Sequence, residues 1–171
     1  MKFMEGRPIG HDGSRPERRL PGHFYWVLPD KLAGMAMPGL LGDEADDLRA
    51  LAQAGVTVLV SLTEAALEPE RLAAFGIRGA HFPIGDTGVP AAGPMGHLCH
   101  NVELAMARGE RVAVHCTMGL TRTGTVLAAI LIWIGYDVER AVDTIRRASP
   151  RYVRALPHVD FLRRFARELG R

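Results

Sequence analysis

Val56-Thr57-Val58-Leu59-Val60-Ser61-Leu62 is almost continuously apolar. A strand with one wet face would alternate apolar and polar residues, and this one does not. It suits a strand covered on both faces, as in a parallel sheet sandwiched between helices. The flanking sequence agrees. Asp43 opens a helical pattern that places Leu48, Leu51 and Ala52 on one face, and Gly55 closes it. Strands are expected over Phe24–Leu28, Leu32–Met37, Ile77–Ile84 and Arg111–His115. Helices are expected over Pro69–Phe75, Pro94–Arg108, Thr123–Ile134, Val138–Ala148 and Pro157–Leu169. Strands alternating with helices predict an α/β domain with a central, mainly parallel sheet of about five strands flanked by helices. The last stretch is helical only, so its helices should pack together on one face.

A chain of 171 residues holds one ordinary domain. Apolar residues make up 47% and charged residues 23%, which excludes a wholly disordered or collagen-like chain. Residues 1–20, punctuated by Gly6, Pro8, Gly10, Gly13 and Pro16, are expected to form a flexible arm, with one domain over residues 21–171. The longest apolar run, Val126–Ile134, is far short of the roughly 20 residues a membrane span needs. No apolar stretch follows the N-terminal charges, so a cytoplasmic location without a secretory leader is expected. With two cysteines, Cys99 and Cys116, a structural disulfide is not expected and a reactive thiol is worth weighing. Charge is uneven: nine arginines face three acids from Arg140 to Arg171, while seven acids face Arg49 alone from Asp43 to Glu70. Solvated helix faces are the plain reading. A basic rim that attracts an acidic or phosphorylated substrate is the other. No nucleic-acid motif is present, and the net charge of +2 does not suggest one.

The most informative segment is Val112-Ala113-Val114-His115-Cys116-Thr117-Met118-Gly119-Leu120-Thr121-Arg122-Thr123-Gly124. A buried strand delivers Cys116 to the carboxyl edge of the sheet, where α/β proteins place ligands. A turn of this size can point its N–H groups inward above a helix N-terminus, forming an anion-binding nest. Arg122 can add a planar two-pronged contact. The same field lowers a thiol's pKa, from about 8.5 to roughly 3.5–7.5 in favourable sites. A thiolate beneath a bound phosphorus is placed for displacement through a phosphocysteine. A lone cysteine in a strand is usually a small core residue. That reading leaves Gly119, Arg122 and the Thr123 hydroxyl unexplained at their spacings.

Cys-x5-Arg followed by Thr resembles the signature of cysteine-dependent protein tyrosine and dual-specificity phosphatases. Phe24-Tyr-Trp-Val-Leu-Pro-Asp-Lys-Leu-Ala-Gly-Met-Ala-Met-Pro-Gly39, Val60-Ser-Leu-Thr-Glu64, Ala107-Arg-Gly-Glu110 and His115–Gly124 are similar to the VHZ-type atypical dual-specificity phosphatases. The similarity runs over residues 23–165. It implies a compact phosphatase-type domain, with Cys116 as nucleophile and Arg122 as binder of the phosphate and transition state. It implies that the amides of Thr117, Met118, Gly119, Leu120, Thr121 and Arg122 cradle the phosphate. Thr123 would hydrogen-bond the sulfur as it leaves, and His115 would brace the loop from beneath.

The leaving oxygen needs a proton, and a carboxylic acid on a loop above the pocket can supply it. Asp86 is the candidate, 30 residues before Cys116 in Phe82-Pro-Ile-Gly-Asp86-Thr-Gly-Val-Pro90. A turn-capping aspartate is the alternative. Relatives often carry Arg-Pro-Gly after the penultimate helix, where this chain reads Ser149-Pro150-Arg151. The region that can carry a water-positioning acid or amide here offers Arg154 and His158. Glu64, at a strand end, either pairs with an active-site arginine or starts the next loop. His97, Cys99 and His100 lack a fourth metal ligand, so no metal and no cofactor is expected. Cys99 is a candidate for reversible pairing with Cys116 if the two lie within about 7 Å.

The leading expectation is metal-independent hydrolysis of phosphotyrosine on a protein or peptide, extending to phosphoserine and phosphothreonine if the pocket is shallow. The absence of long insertions favours a shallow one. A phosphoinositide or RNA 5′-phosphate phosphatase of the same chemistry, and a non-catalytic phosphoprotein-binding module, remain as alternatives. A monomer is expected.

Overall fold

The computed structural model describes residues 19–171. The arm expected over residues 1–20 falls, but for its last two residues, outside them. The described chain runs β1 (Tyr25–Leu28), β2 (Leu32–Met35), α1 (Glu44–Gln53), β3 (Val56–Ser61), α2 (Pro69–Ala73), β4 (Arg78–His81), α3 (Ala92–Ala107), β5 (Arg111–His115), α4 (Thr121–Trp133), α5 (Val138–Ala148) and α6 (Leu156–Glu168). The five strands form one sheet in the order β1-β2-β5-β3-β4. β1 pairs antiparallel with β2, and the other three pairings are parallel.

The unbroken apolar strand is explained by the two layers it separates. Val58 and Val60 of β3, with Val112 and Val114 of β5, face a core shared with α3, α4, α5 and α6. Leu59 and Ala113, one residue out of phase, face a second core with Leu48 and Leu51 of α1 and Leu72 of α2. Alternate residues go to opposite faces of a strand, and here both faces are dry. The four later helices share one layer, as the helical C-terminal stretch suggested. α4 lies at its centre: every residue from Arg122 to Ile132 is buried. Its approach to β2 depends on Gly34, where a Cβ would lie 2.4 Å from the Tyr152 hydroxyl and 2.7 Å from Leu127.

Several element ends differ from expectation. The Ile77–Ile84 strand is regular only over Arg78–His81. The chain still follows β3 beyond it, Phe82 N–H donating to Ser61 O and Ile84 N–H to Leu62 O, but Pro83 between them has no N–H to give. β2 ends at Met35 because Ala36 N–H turns to Gly22 O (2.8 Å) and Met37 N–H to Thr117 O (3.0 Å). α3 begins at Ala92, which leaves Pro94 in the first turn, where no N–H is needed. α4 begins at Thr121, two residues early, so Arg122 is already helical. No helix among the described residues is long and apolar enough to cross a membrane.

Candidate active site

β5 is the middle strand, between β2 and β3, and its carboxyl end presents Cys116 at the centre of the sheet edge. The chain then turns through Thr117–Leu120 and enters α4. α1 and α5 open on aspartates: Asp43 accepts from Asp46 N–H and Asp137 from Arg140 N–H. α4 instead has Leu120 at its N-cap, with no side chain satisfying its first turn. An apolar N-cap leaves orphan N–H groups available to an anion.

Most of the loop's carbonyls, by contrast, are already occupied. Cys116 O accepts from His115 Nδ1 at 3.2 Å and Thr117 O from Met37 N–H at 3.0 Å. Met118 O accepts from His23 Nδ1 at 2.7 Å, Leu120 O from Gly124 N–H at 2.8 Å, and Thr121 O from the Thr125 hydroxyl at 2.8 Å. Among the described residues, no N–H from Thr117 to Arg122 donates to a protein oxygen. Carbonyls engaged and amides free of protein oxygens are the arrangement an oxyanion cradle requires. Gly119 lets the loop pass over β2: its φ is +67°, and a Cβ there would lie 2.2 Å from the carbonyl carbon of Met35.

The Cys116 thiol is buried, which alone would raise its pKa. The Thr123 hydroxyl, the N–H groups of Thr123 and Leu120, and the Arg122 charge outweigh that and lower it below the ordinary thiol value. The Thr123 hydroxyl is buried, and it is the largest of the groups that lower the thiol. Cys99 shows the contrast. It sits in α3, where burial outweighs its one backbone hydrogen bond and pushes it up to about 12. Both cysteines are free thiols.

Arg122 is buried at the base of α4. Its Nη1 donates to Ile84 O at 2.9 Å and its Nη2 to Thr117 Oγ1 at 3.1 Å. Nη2 also lies 2.6 Å from Asp86 Oδ1, and the Asp86 side chain is 85% exposed. Thus Cys116, Arg122, Thr123 and Asp86, separated in sequence, meet at one sheet edge. His115 lies fully buried beneath them. Its Nδ1–H faces a carbonyl, which only accepts, so Nε2 accepts from the Ser61 hydroxyl at 2.7 Å. Burial, with a smaller effect from Arg122, lowers its pKa to about 4 and keeps it neutral.

Arg154 is exposed. His158 is buried, its Nδ1 3.0 Å from the Thr125 hydroxyl on α4. Glu64 is exposed and has no ion pair among the described residues. His100 faces Glu103, 4.0 Å away, and the Trp133 ring. Two contributors escaped the sequence reading. Ser61 was legible as the one hydroxyl closing the apolar β3 run. His23, at the edge of the resemblance, holds Met118 O and lies 3.4 Å from Arg151 Nη1.

Residues 33–136 match a family model described as "Polymorphic toxin system, DSP-PTPase phosphatase". A protein phosphatase Slingshot homolog 3 from mouse is 43% identical over 63 residues, 36% of this chain and 9% of that protein. A pig cyclin-dependent kinase inhibitor 3 is 28% identical over 74 residues, 42% of this chain and 35% of that protein. The matched stretches thus span about a third or less of these relatives' length. Among solved structures, Tk-PTP in its active form aligns with a TM-score of 0.75 at 23% identity, covering 85% of this chain and 97% of its own. Kinase associated phosphatase aligns at 0.77 and 20%, covering 89% and 98%. Human DUSP28 aligns at 0.73 and 21%, covering 89% and 98%. These structures share the fold. With the family model spanning more than half of its length, the chain belongs to the DSP-PTPase phosphatase family of polymorphic toxin systems.

Proposed function

We propose that the protein hydrolyses phosphate monoesters on phosphorylated proteins, phosphotyrosine foremost, through a phosphocysteine and without a metal. The observation that carries this is the loop around Cys116, most of whose carbonyls are engaged and whose amides give no bond to a protein oxygen, beside a thiol of lowered pKa.

The substrate phosphate enters the cradle of Thr117–Arg122 and takes the Arg122 face that Asp86 holds. Cys116 Sγ attacks phosphorus, a P–S bond forms and the P–O bond to the leaving group breaks. Protonated Asp86 gives its proton to that oxygen. A water then attacks the phosphocysteine, the Asp86 carboxylate takes its proton, and the P–S bond breaks. The Thr123 hydroxyl and the amides receive the returning thiolate, and Arg122 holds the equatorial oxygens throughout both steps. His115, neutral and tied to Ser61, braces the loop and exchanges no proton.

The test is hydrolysis of an aryl phosphate by wild type and by Cys116→Ser, each with a chelator, together with mass analysis of acid-quenched wild type. Turnover by wild type alone and a phosphate adduct on the Cys116 peptide are expected. Equal turnover by Cys116→Ser, or loss of activity to the chelator, overturns the reading.

A further inference from the structure

The loop that carries Asp86 continues through Thr87 and Gly88 to Val89, which packs against the main core and lines two adjoining clefts. One, of about 410 Å³, is walled by Phe82, Pro83, Ile84, Val89, Pro90 and Pro94. Its three prolines have fixed φ angles, so its shape is largely set before anything binds. The other, of about 590 Å³, lies between Val89 and α6 and is lined by Pro157, Asp160, Arg163, Arg164 and Arg167. Arg163 lies 3.3 Å from Asp160, with both side chains well exposed. Arg164 and Arg167 have no carboxylate partner among the described residues. The opposite side of α6 buries Phe161, Leu162 and Phe165, so the helix core does not need this arginine row.

The charge of the whole domain points the same way. The acids of α1 and α2 belong to the helix layer on the other side of the sheet. The arginines of α5 and α6 lie in the layer that carries these clefts. An acidic ligand is steered toward the arginine side and away from the other.

We propose that the two clefts form one docking surface for an acidic segment of the substrate protein, with an apolar side chain seated among the prolines and carboxylates along Arg163, Arg164 and Arg167. This rests on the phosphatase reading for the substrate's phosphate and adds the chemistry of the chain beside it. Such a surface selects protein substrates by their flanks, which a phosphate cradle alone cannot do. Arginine's planar fork suits carboxylates, and each exposed pair is weak, so the row acts together.

The test compares two phosphotyrosine peptides, one flanked by a leucine and several acids and one with those acids changed to their amides. The enzymes are wild type and an Arg163→Glu/Arg164→Glu/Arg167→Glu variant. Wild type should favour the acidic peptide, and the variant should lose about tenfold in kcat/KM on it, through KM. Turnover of the neutral peptide and of an aryl phosphate should stay unchanged, which also shows that the variant is folded. Binding of a fluorescent, unphosphorylated acidic peptide, weakened by the triple variant and by Val89→Glu, reads the surface without turnover. A failed phosphatase reading therefore leaves this measurement intact. Equal handling of both peptides by wild type overturns the proposal. So does binding of anionic lipid vesicles through the same arginines without any effect on peptides.

Discussion

Asp86 Oδ1 lies 2.6 Å from Arg122 Nη2, so one guanidinium is already engaged by a carboxylate. In the proposed mechanism the substrate's phosphate and Asp86 would compete for it. We predict that Asp86→Ala slows turnover by two or more orders of magnitude for poor leaving groups, in line with general-acid contributions of about 10²–10⁴, and less for good ones. The same variant should bind inorganic phosphate more tightly than wild type, because nothing has to be displaced from Arg122. Competitive inhibition by phosphate measures this. A weaker phosphate affinity in Asp86→Ala would show that the carboxylate does not compete.

His23 reaches across 95 residues to hold the Met118 carbonyl at 2.7 Å. Turning that carbonyl outward is what turns the following amide inward. His23 also sits at φ +54°, a conformation few side chains tolerate. Asparagine tolerates it and can place an amide donor near Nδ1. We predict that His23→Ala loses about tenfold in phosphate affinity and kcat/KM, as one hydrogen bond holding the loop would give. His23→Asn should recover most of the loss. Equal loss in both variants would point to general destabilisation, which a melting curve would reveal.

The difference between Cys116 and His23 shows what a sequence can disclose. Cys116 and Arg122 are separated by five residues on one turn, so their meeting is local and their spacing alone is informative. Asp86 lies on another strand's exit and was legible only from its place after an apolar segment and from the family resemblance. His23 joins the site through a long-range contact that no spacing encodes. The β3 run was legible because burial on both faces leaves little room for polar residues, only Thr57 and Ser61 among its six. The end of β4 was not, because Pro83 interrupts the ladder while its neighbours keep pairing with β3. The place of His158 against Thr125 depends on how α6 packs on α4, which neither helix specifies alone.

Thr123 is the strongest of the groups that lower the Cys116 thiol. We predict that iodoacetamide alkylates Cys116 with a midpoint below the ordinary thiol range and leaves Cys99, pushed up to about 12, unmodified in the folded protein. Thr123→Val should raise that midpoint and slow breakdown of the phosphocysteine, seen as a larger burst in rapid-quench kinetics. An unchanged midpoint would remove the hydroxyl from the account.

A Cβ at Gly119 would meet backbone atoms of Met35 and Ala36 at 2.2–2.3 Å, in a residue already at φ +67°. Backbone atoms cannot move aside as a flexible side chain does. We predict that Gly119→Ala costs at least about 2 kcal/mol of stability, the left-handed backbone alone accounting for about 1–2. Phosphate binding should fall with it, because the loop must lift off β2. Wild-type stability by denaturant unfolding, with unchanged phosphate affinity, would contradict the constraint.

His115 gives the fold an acid-sensitive component. Above pH 6.5 its ring is neutral in both folded and unfolded chains and adds no pH dependence. Below 6.5 the unfolded chain takes a proton that the folded one refuses until about pH 4, because burial disfavours the charge. Stability should therefore fall as pH drops from 6.5 to 4 and level off below, a loss on the order of 3 kcal/mol from this group. His158, also lowered by burial, contributes in the same direction. His115→Asn should be less stable at neutral pH, with the Ser61 hydroxyl losing its acceptor, but its stability should decline less steeply over the same interval. Denaturant midpoints measured from pH 7 to pH 4 separate the two effects. Parallel curves for wild type and variant would mean that the buried ring takes up its proton as readily in the native protein as in the unfolded chain.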